Sequence, residues 1–435
     1  MSHPFLPFPF ICPNSYIETL HTFIQTHKWL SEFYAIAFIT TDYWNTGPIP
    51  PQWKILEWEN DDTLCRVASE GFIKDEWPES LKQFVLEASR LGMKRDARNF
   101  EDVEFADISP RIAVGMNTKK VKETGPLASI IRTLSQTQHI SHILDLGAGQ
   151  GYLSSVLAYQ YNLNVLAIDG SSSQIAGGRR RAENIKKRIG DGQGRLVFLE
   201  RSVQEEEDLE RFMGVGTNCF GEGRWGICGL HTCGDLASTT IRGFLTSRAS
   251  VLVNVGCCYN KLTEKGFPMS QHYKSRNWTL SANLLMVACQ APSRWTTTST
   301  TKMSFNNLYY RALLQDILVS NNYPTITSLR SLPQSAFTDF ETYIRTALNR
   351  LQLPMPSTPL QVYLAKHQNA RRQIAALWTL RALIADVVES FILMDRWSFG
   401  RELDGVKVFL EPVVDPVVSP RNMAIVFINE RKQQE

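Results

Sequence analysis

Long apolar runs are missing from this chain of 435 residues, and ordinary membrane-spanning helices are excluded with them. No stretch reaches the roughly 18–20 apolar residues that crossing a bilayer requires. No Gly-Lys-Ser/Thr follows any glycine-rich turn, so there is no P-loop. The eight cysteines include no Cys-x-x-Cys, and no His-x-x-x-His accompanies them. Zinc-ligand spacing is therefore absent, and no metal is expected. The adjacent pair Cys257-Cys258 suits free thiols in a reducing compartment, which places the protein inside the cell, in cytoplasm or nucleus. The segment Met1–Cys12 is apolar but is broken by three prolines and has no basic leader, which argues against a secretory signal. Charge excess is missing too: 46 basic against 43 acidic side chains leave a net +3, too little to imply a nucleic-acid partner without a look at its distribution.

What is present is enough chain for two or three domains. Residues 1 to about 105 carry helical spacing. Tyr16, Ile17, Leu20, Phe23 and Ile24 form one apolar stripe, and Leu30, Phe33, Tyr34, Ile36 and Ala37 a second. The turn Gly47-Pro48-Ile49-Pro50-Pro51 follows, and Trp77-Pro78 opens a helix through Leu81, Phe84, Val85 and Ala88. Polar residues 91–109 read as a linker, giving a helical N-terminal domain over 1–109. From 110 onward strands and helices alternate, with strands expected near 142–146, 164–169, 195–200, 225–231 and 250–256. That alternation predicts an α/β fold with a parallel sheet covered on both faces. Residues 260–400 lack strand character and include a helix expected from Leu360 to Met394. Two short strands, Val406–Leu410 and Met423–Ile428, close the chain. The one biased tract is Thr296–Thr301.

The most informative stretch is Asp145-Leu146-Gly147-Ala148-Gly149-Gln150-Gly151. It follows the apolar run Ile140–Leu144 and precedes a helical pattern from Tyr152 to Tyr161, so it is a glycine turn between a buried strand and a helix. Glycines let backbone approach a ligand closely, and the helix N-terminus beyond them offers free N–H groups. Asp169 ends the next apolar run, where an acid is placed to bind a ribose diol. The dinucleotide fingerprint is Gly-x-Gly-x-x-Gly; here the spacing is Gly-x-Gly-x-Gly with Asp145 just ahead of it. A pyrophosphate gains nothing from that carboxylate, whereas a ligand carrying an ammonium and a sulfonium does. The segment resembles the cofactor loop of class I S-adenosylmethionine-dependent methyltransferases.

In such sheets ligands bind beyond the carboxyl ends of the strands. Strand four runs into His231-Thr232-Cys233-Gly234-Asp235, and strand five into Gly256-Cys257-Cys258-Tyr259. His231, Cys233 and Asp235 are the candidate catalytic groups. Histidine ordinarily titrates near neutrality and can serve as a general base, or it can simply brace the pocket wall. Cys233 and Cys257 are either reactive thiols or small packed side chains. The Asp/Asn-Pro-Pro-aromatic tetrad of enzymes that methylate exocyclic amines is absent after strand four, which disfavours adenine-N6 chemistry. Basic residues cluster at Arg179-Arg180-Arg181 with Lys186-Lys187-Arg188, and at Lys119-Lys120 with Lys122. They form either a solvated helix face or a phosphate-tracking surface, and Lys119 and Lys120 could instead cover the cofactor pocket.

Taken in order, Met116-Asn117-Thr118-Lys119-Lys120, Asp145–Gly151, Leu230–Leu236, Val255–Tyr259, Phe267–Ser270, Tyr310–Leu313, Leu380-Arg381-Ala382, Asp395-Arg396 and Ser419–Asn422 resemble the methyltransferase-like protein twenty-five family. Its members are also called ribosomal RNA adenine dimethylase domain-containing proteins. The resemblance spans nearly the whole chain. It implies a class I methyltransferase domain over 110–435: five parallel strands plus a C-terminal antiparallel pair, with 260–400 as a helical insertion. It implies S-adenosylmethionine as cofactor, bound by Asp145, Gly147, Gly149, Gly151, Asp169 and Lys119. The Leu-His-x-Cys-Gly and Cys-Cys blocks also look like those of a tRNA ribose methyltransferase, the thirteenth tRNA methyltransferase, which points toward RNA as acceptor. Gln150 stands where the family often has lysine, and Lys122 where histidine is common before Glu123. Three readings follow: a methyltransferase acting on RNA, one acting on a protein or small molecule, and a cofactor-binding scaffold without catalysis.

Overall fold

A computed structural model describes residues 5–95, 103–190, 194–295, 298–324, 329 and 332–433. It contains a seven-stranded sheet in the order β3-β2-β1-β4-β5-β7-β6. The strands are β1 His142–Leu146, β2 Asn164–Asp169, β3 Leu196–Glu200, β4 Trp225–Cys233, β5 Val251–Cys257, β6 Val406–Pro412 and β7 Met423–Asn429. The first five are parallel, and β7 runs antiparallel between β5 and β6. This is the expected Rossmann-like methyltransferase sheet, and both closing strands join it.

Burial explains why the strands read as continuous apolar runs. Every residue of β1 and of β5 is buried, because helices from the intervening segments pack on the sheet. The helices Thr118–Thr137, Tyr152–Tyr159 and Ser172–Ile189 contribute Leu127, Ile131, Val156, Leu157, Ile175 and Ile185 to a core shared with Ile143, Val165 and Val253. From β1 the chain winds outward through β2 and β3, then returns to start β4 on the other side of β1. The reversal of winding leaves a crevice above the carboxyl ends of β1 and β4, where ligands bind in such sheets.

The contacts divide the chain into two compact units. One comprises Met1–Leu20, Met93–Cys289 and Val388–Glu435 and holds the whole sheet; the other comprises His21–Gly92 and Gln290–Val387. Residues 290–387, which interrupt the sheet-bearing unit between β5 and β6, group with residues 21–92. In the second unit, helices distant in sequence supply apolar faces to one another, notably Asp61–Glu70 and Ala370–Leu383. The Arg371 guanidinium donates to both oxygens of Asp61, at 2.9 and 2.8 Å, and Gln373 donates to Glu57. Pattern reading along the chain cannot see such partners, because each stripe shows only that something covers it.

The helix expected from Leu360 to Met394 is three: Leu360–Lys366, Ala370–Leu383 and Ala385–Arg401. The first break is at His367, whose ring bonds Asp316 at 3.0 Å, and the second is a turn at Ile384. Residues 96–102 of the expected linker, and Thr296 and Thr297 of the threonine-rich tract, lie outside the described residues. Among the described residues no helix is long and apolar enough to cross a membrane.

Candidate active site

Gly147, Gly149 and Gly151 all hold left-handed backbone angles, with φ of 67°, 56° and 65°. A side chain is strained at each. Gly151 is doubly constrained, since a Cβ there would meet the Phe198 ring at 2.6 Å. Asp169 closes β2 beside this loop. Its Oδ2 accepts from the Gly149 N–H at 2.9 Å, and its Oδ1 accepts from the Ser171 N–H at 2.8 Å. The acid that ends β2 thus also sets the shape of the glycine turn.

Asp145 is buried at the end of β1 and accepts a hydrogen bond from the Ser154 hydroxyl at 2.5 Å. Burial lifts its carboxyl to about 6, against the hydrogen bonds from Ser154 and Cys228. A cation placed beside it would restore its charge. A cleft of about 280 Å³ is lined by Asp145, Gly147, Gly149, Asp169 and His231, with Lys120, Gln150, Tyr152 and Gln174 completing much of its rim. Lys120 reaches this cleft and Lys119 is not part of its lining. A wider groove of about 510 Å³ in the same unit is mostly apolar, with Ile108, Val121 and Val413 on its walls. It touches none of the glycine-loop residues, so the smaller cleft is the one with nucleotide-binding chemistry.

His231 stands at the edge of that cleft because β4 is irregular there. Leu230 pairs with Val255 and Thr232 with Gly256, so His231 is one extra residue against β5. A bulge of this kind re-aims a side chain. Its φ of 71° is left-handed, unusual for any residue but glycine. The ring Nε2 lies 3.4 Å from Oε2 of Glu123, a fully buried carboxylate near the start of the helix Thr118–Thr137. Burial pushes the Glu123 carboxyl up, but hydrogen bonds from His231 and Ser419 and the charges of His231 and Lys120 outweigh it and bring it down to about 2. Lys119 and Lys120 reach the same carboxylate at 3.5 and 3.3 Å.

The partner of His231 is therefore Glu123, and Asp235 is turned elsewhere. Asp235 begins the helix Asp235–Thr246 and accepts from the Thr263 N–H at 2.8 Å and the Thr263 hydroxyl at 2.6 Å. Both of its oxygens tether the loop after β5. Glu123 was not among the residues singled out from sequence. The signal available was its place three and four residues beyond Lys120 and Lys119 on one helix.

Cys233 sits 3.2 Å from Cys257 and 3.3 Å from Cys258, sulfur to sulfur, and 3.5 Å from the carbonyl oxygen of His231. Hydrogen bonding to Cys257 lowers the Cys233 thiol, and the same contact together with burial raises Cys257. Two of the six basic side chains on the helix Ser172–Ile189 have internal duties. Arg181 is buried, donating to Ser155 and to the carbonyls of Ile112 and Val114, and Arg179 donates to the carbonyl of Phe198.

A family model described as a methyltransferase domain matches residues 119–265, from the helix carrying Glu123 through the glycine loop to the loop after β5. A mouse (Mus musculus) protein named "Probable methyltransferase-like protein 25" is 25% identical over 456 residues, covering 73% of this chain and 76% of that protein. Its human (Homo sapiens) namesake is 25% identical over 460 residues, covering 73% and 75%. The chain is a methyltransferase, similar over most of its length to methyltransferase-like 25 proteins. The enzyme uses S-adenosylmethionine as its cofactor. A solved coclaurine N-methyltransferase bound to N-methylheliamine and SAH is 12% identical, covers 90% of this chain and 99% of its own, and superposes with a TM-score of only 0.25. So loose a match informs neither fold nor function. The cleft fits the cofactor on its own chemistry: a buried carboxyl drawn toward neutrality at one wall, and a glycine turn with an acid beside it at the other.

Proposed function

We propose that this enzyme methylates RNA, with His231 as the general base. The observation that carries the catalytic part is His231 displaced by a strand bulge onto the cleft edge, with the buried Glu123 carboxylate behind it. The bound cofactor supplies a methyl group already activated on a sulfonium. Asp169 would hold the ribose hydroxyls, the Gly147–Gly151 turn would admit the ligand closely, and Asp145 would attract its positive end. His231 removes the proton that a hydroxyl or ring-nitrogen acceptor must lose, a step worth roughly 100- to 10,000-fold in such reactions. Glu123 orients the ring and favours the imidazolium that forms. Asp235 holds the loop after β5 through Thr263.

RNA is favoured by the helix Ser172–Ile189. Its Gln174 lines the cleft, and Arg180, Lys186, Lys187 and Arg188 stay exposed along the same helix. A basic surface beginning at the mouth of the cleft suits a phosphate backbone. The test is capture of a radiolabelled methyl group from cell extract, followed by nuclease or protease digestion. Label released by ribonuclease alone supports RNA. Label released by protease moves the acceptor to protein, and label in neither fraction moves it to a small molecule.

A further inference from the structure

Three thiols that are scattered in sequence meet at the carboxyl ends of β4 and β5. The sulfurs of Cys233, Cys257 and Cys258 form a triangle with edges of 3.2, 3.3 and 3.7 Å. Among the described residues no other group of three metal-ligating side chains comes together in this way. Two departures from regular strand geometry assemble it. The bulge at His231 shifts the register by one, which brings Cys233 opposite Cys257. Adjacent residues of an extended strand point to opposite faces. Cys258 escapes that rule by adopting left-handed angles, φ 48° and ψ 50°, which return its thiol to the side of Cys257. A β-carbon in that conformation is unfavourable, so the surrounding structure must hold it there.

The dimensions discriminate among occupants. Thiolates bound tetrahedrally to one zinc ion at about 2.3 Å lie about 3.8 Å from one another. A disulfide needs about 2.05 Å between two sulfurs and leaves the third unused. The 3.7 Å edge is close to the single-ion value, the 3.2 and 3.3 Å edges fall about half an ångström short of it, and all are far too long for a disulfide. An iron–sulfur cubane binds each thiolate to a different iron and needs a much wider triangle. Zinc-type spacing is absent from the sequence because that spacing describes ligands supplied by one short loop. Here the ligands come from two neighbouring strands.

We propose that Cys233, Cys257 and Cys258 bind one thiophilic metal ion, Zn²⁺ or Cu⁺, through three thiolates. Three protein ligands leave a fourth position for water or an acceptor atom, the arrangement of catalytic rather than closed structural sites. Binding exchanges the thiol protons for the metal and needs no oxidant or reductant. The site is independent of the choice of methyl acceptor.

The test uses the full chain, purified anaerobically with reductant, stripped with a chelator, and offered Zn²⁺ alone or Cu⁺ alone. The wild type should retain about one ion per chain by elemental analysis, and the arm that retains it identifies the ion. Cys233→Ser and Cys257→Ser should lose that ion, while Cys12→Ser, at an exposed thiol remote in sequence, should keep it. Co²⁺ substitution of the wild type supplies a readout that requires no variant to fold: thiolate-to-cobalt charge-transfer absorption. Failure of the wild type to retain any ion, or retention that survives both substitutions, overturns the proposal. A disulfide joining Cys233 to Cys257 or Cys258 in anaerobically isolated protein overturns it as well.

Discussion

The two ends of the cleft are built in opposite ways. At the β1–β2 end the ligand-facing groups come from one stretch of chain between Asp145 and Gln174, and backbone conformation does most of the positioning. At the β4 end the cleft is met by His231, and the groups behind and beside it, Glu123 and Cys233 with Cys257-Cys258, are placed by packing or by a strand irregularity. The first end is a local device that any sequence with the right glycines and acids can form. The second exists only when the helix Thr118–Thr137 and the strands β4 and β5 are docked together. Cofactor binding and acceptor chemistry should therefore separate under mutation.

The largest effect should come from His231→Ala. We expect turnover to fall roughly 100- to 10,000-fold, with cofactor affinity by calorimetry nearly unchanged. A loss of cofactor affinity as large as the loss of turnover would merge the two ends and break the comparison. Asp169→Ala strikes the other end, and cofactor binding should weaken by about 1.5–3 kcal/mol. Asp169→Asn keeps a carbonyl oxygen for the Gly149 N–H, so it should lose less. Equal losses would mean that Asp169 acts on the ribose alone and not through the loop.

Glu123→Gln should slow turnover by about 10-fold, the worth of one charged hydrogen bond near 1.5 kcal/mol, without changing cofactor affinity. Full activity in this variant would leave His231 to position itself. The pH dependence of cofactor binding is sharper in sign than in size. The Asp145 carboxyl of the free enzyme stands at about 6, and a bound cation favours its ionised form. Affinity is thus fully present above that pH and should fall by up to about tenfold per unit below it. Calorimetry between about pH 7 and about pH 5 measures this, and flat affinity would remove Asp145 from the ammonium or sulfonium. The smallest effect belongs to Asp235→Ala, which should cost about 1 kcal/mol of stability in denaturant titrations. It should slow turnover far less than His231→Ala does.

The strands of the sheet were legible to within a few residues, because a buried strand is a run of apolar residues whatever lies beside it. The glycine loop was legible for a related reason: left-handed backbone admits few residues but glycine, so the spacing of glycines records the turn. Helix partners were not legible. The apolar stripe of Ala370–Leu383 announces burial, yet only the fold shows Asp61–Glu70 among what covers it. The assignment of Asp235 as companion to His231 rested on closeness in sequence. Helix geometry turned its carboxylate to Thr263, and a carboxylate more than a hundred residues upstream took its place.

By itself the sequence determined the class of fold, the cofactor and the glycine turn after β1. Those depend on interactions within a few residues, and short-range sterics leave a readable pattern. Only the tertiary structure decided which acid backs His231, that Cys233 faces Cys257 and Cys258, and that residues 21–92 share a unit with residues 290–387. These depend on register and docking. One bulged residue in β4 changes which side chains face one another, and the burial of distant surfaces fixes the partners of each helix.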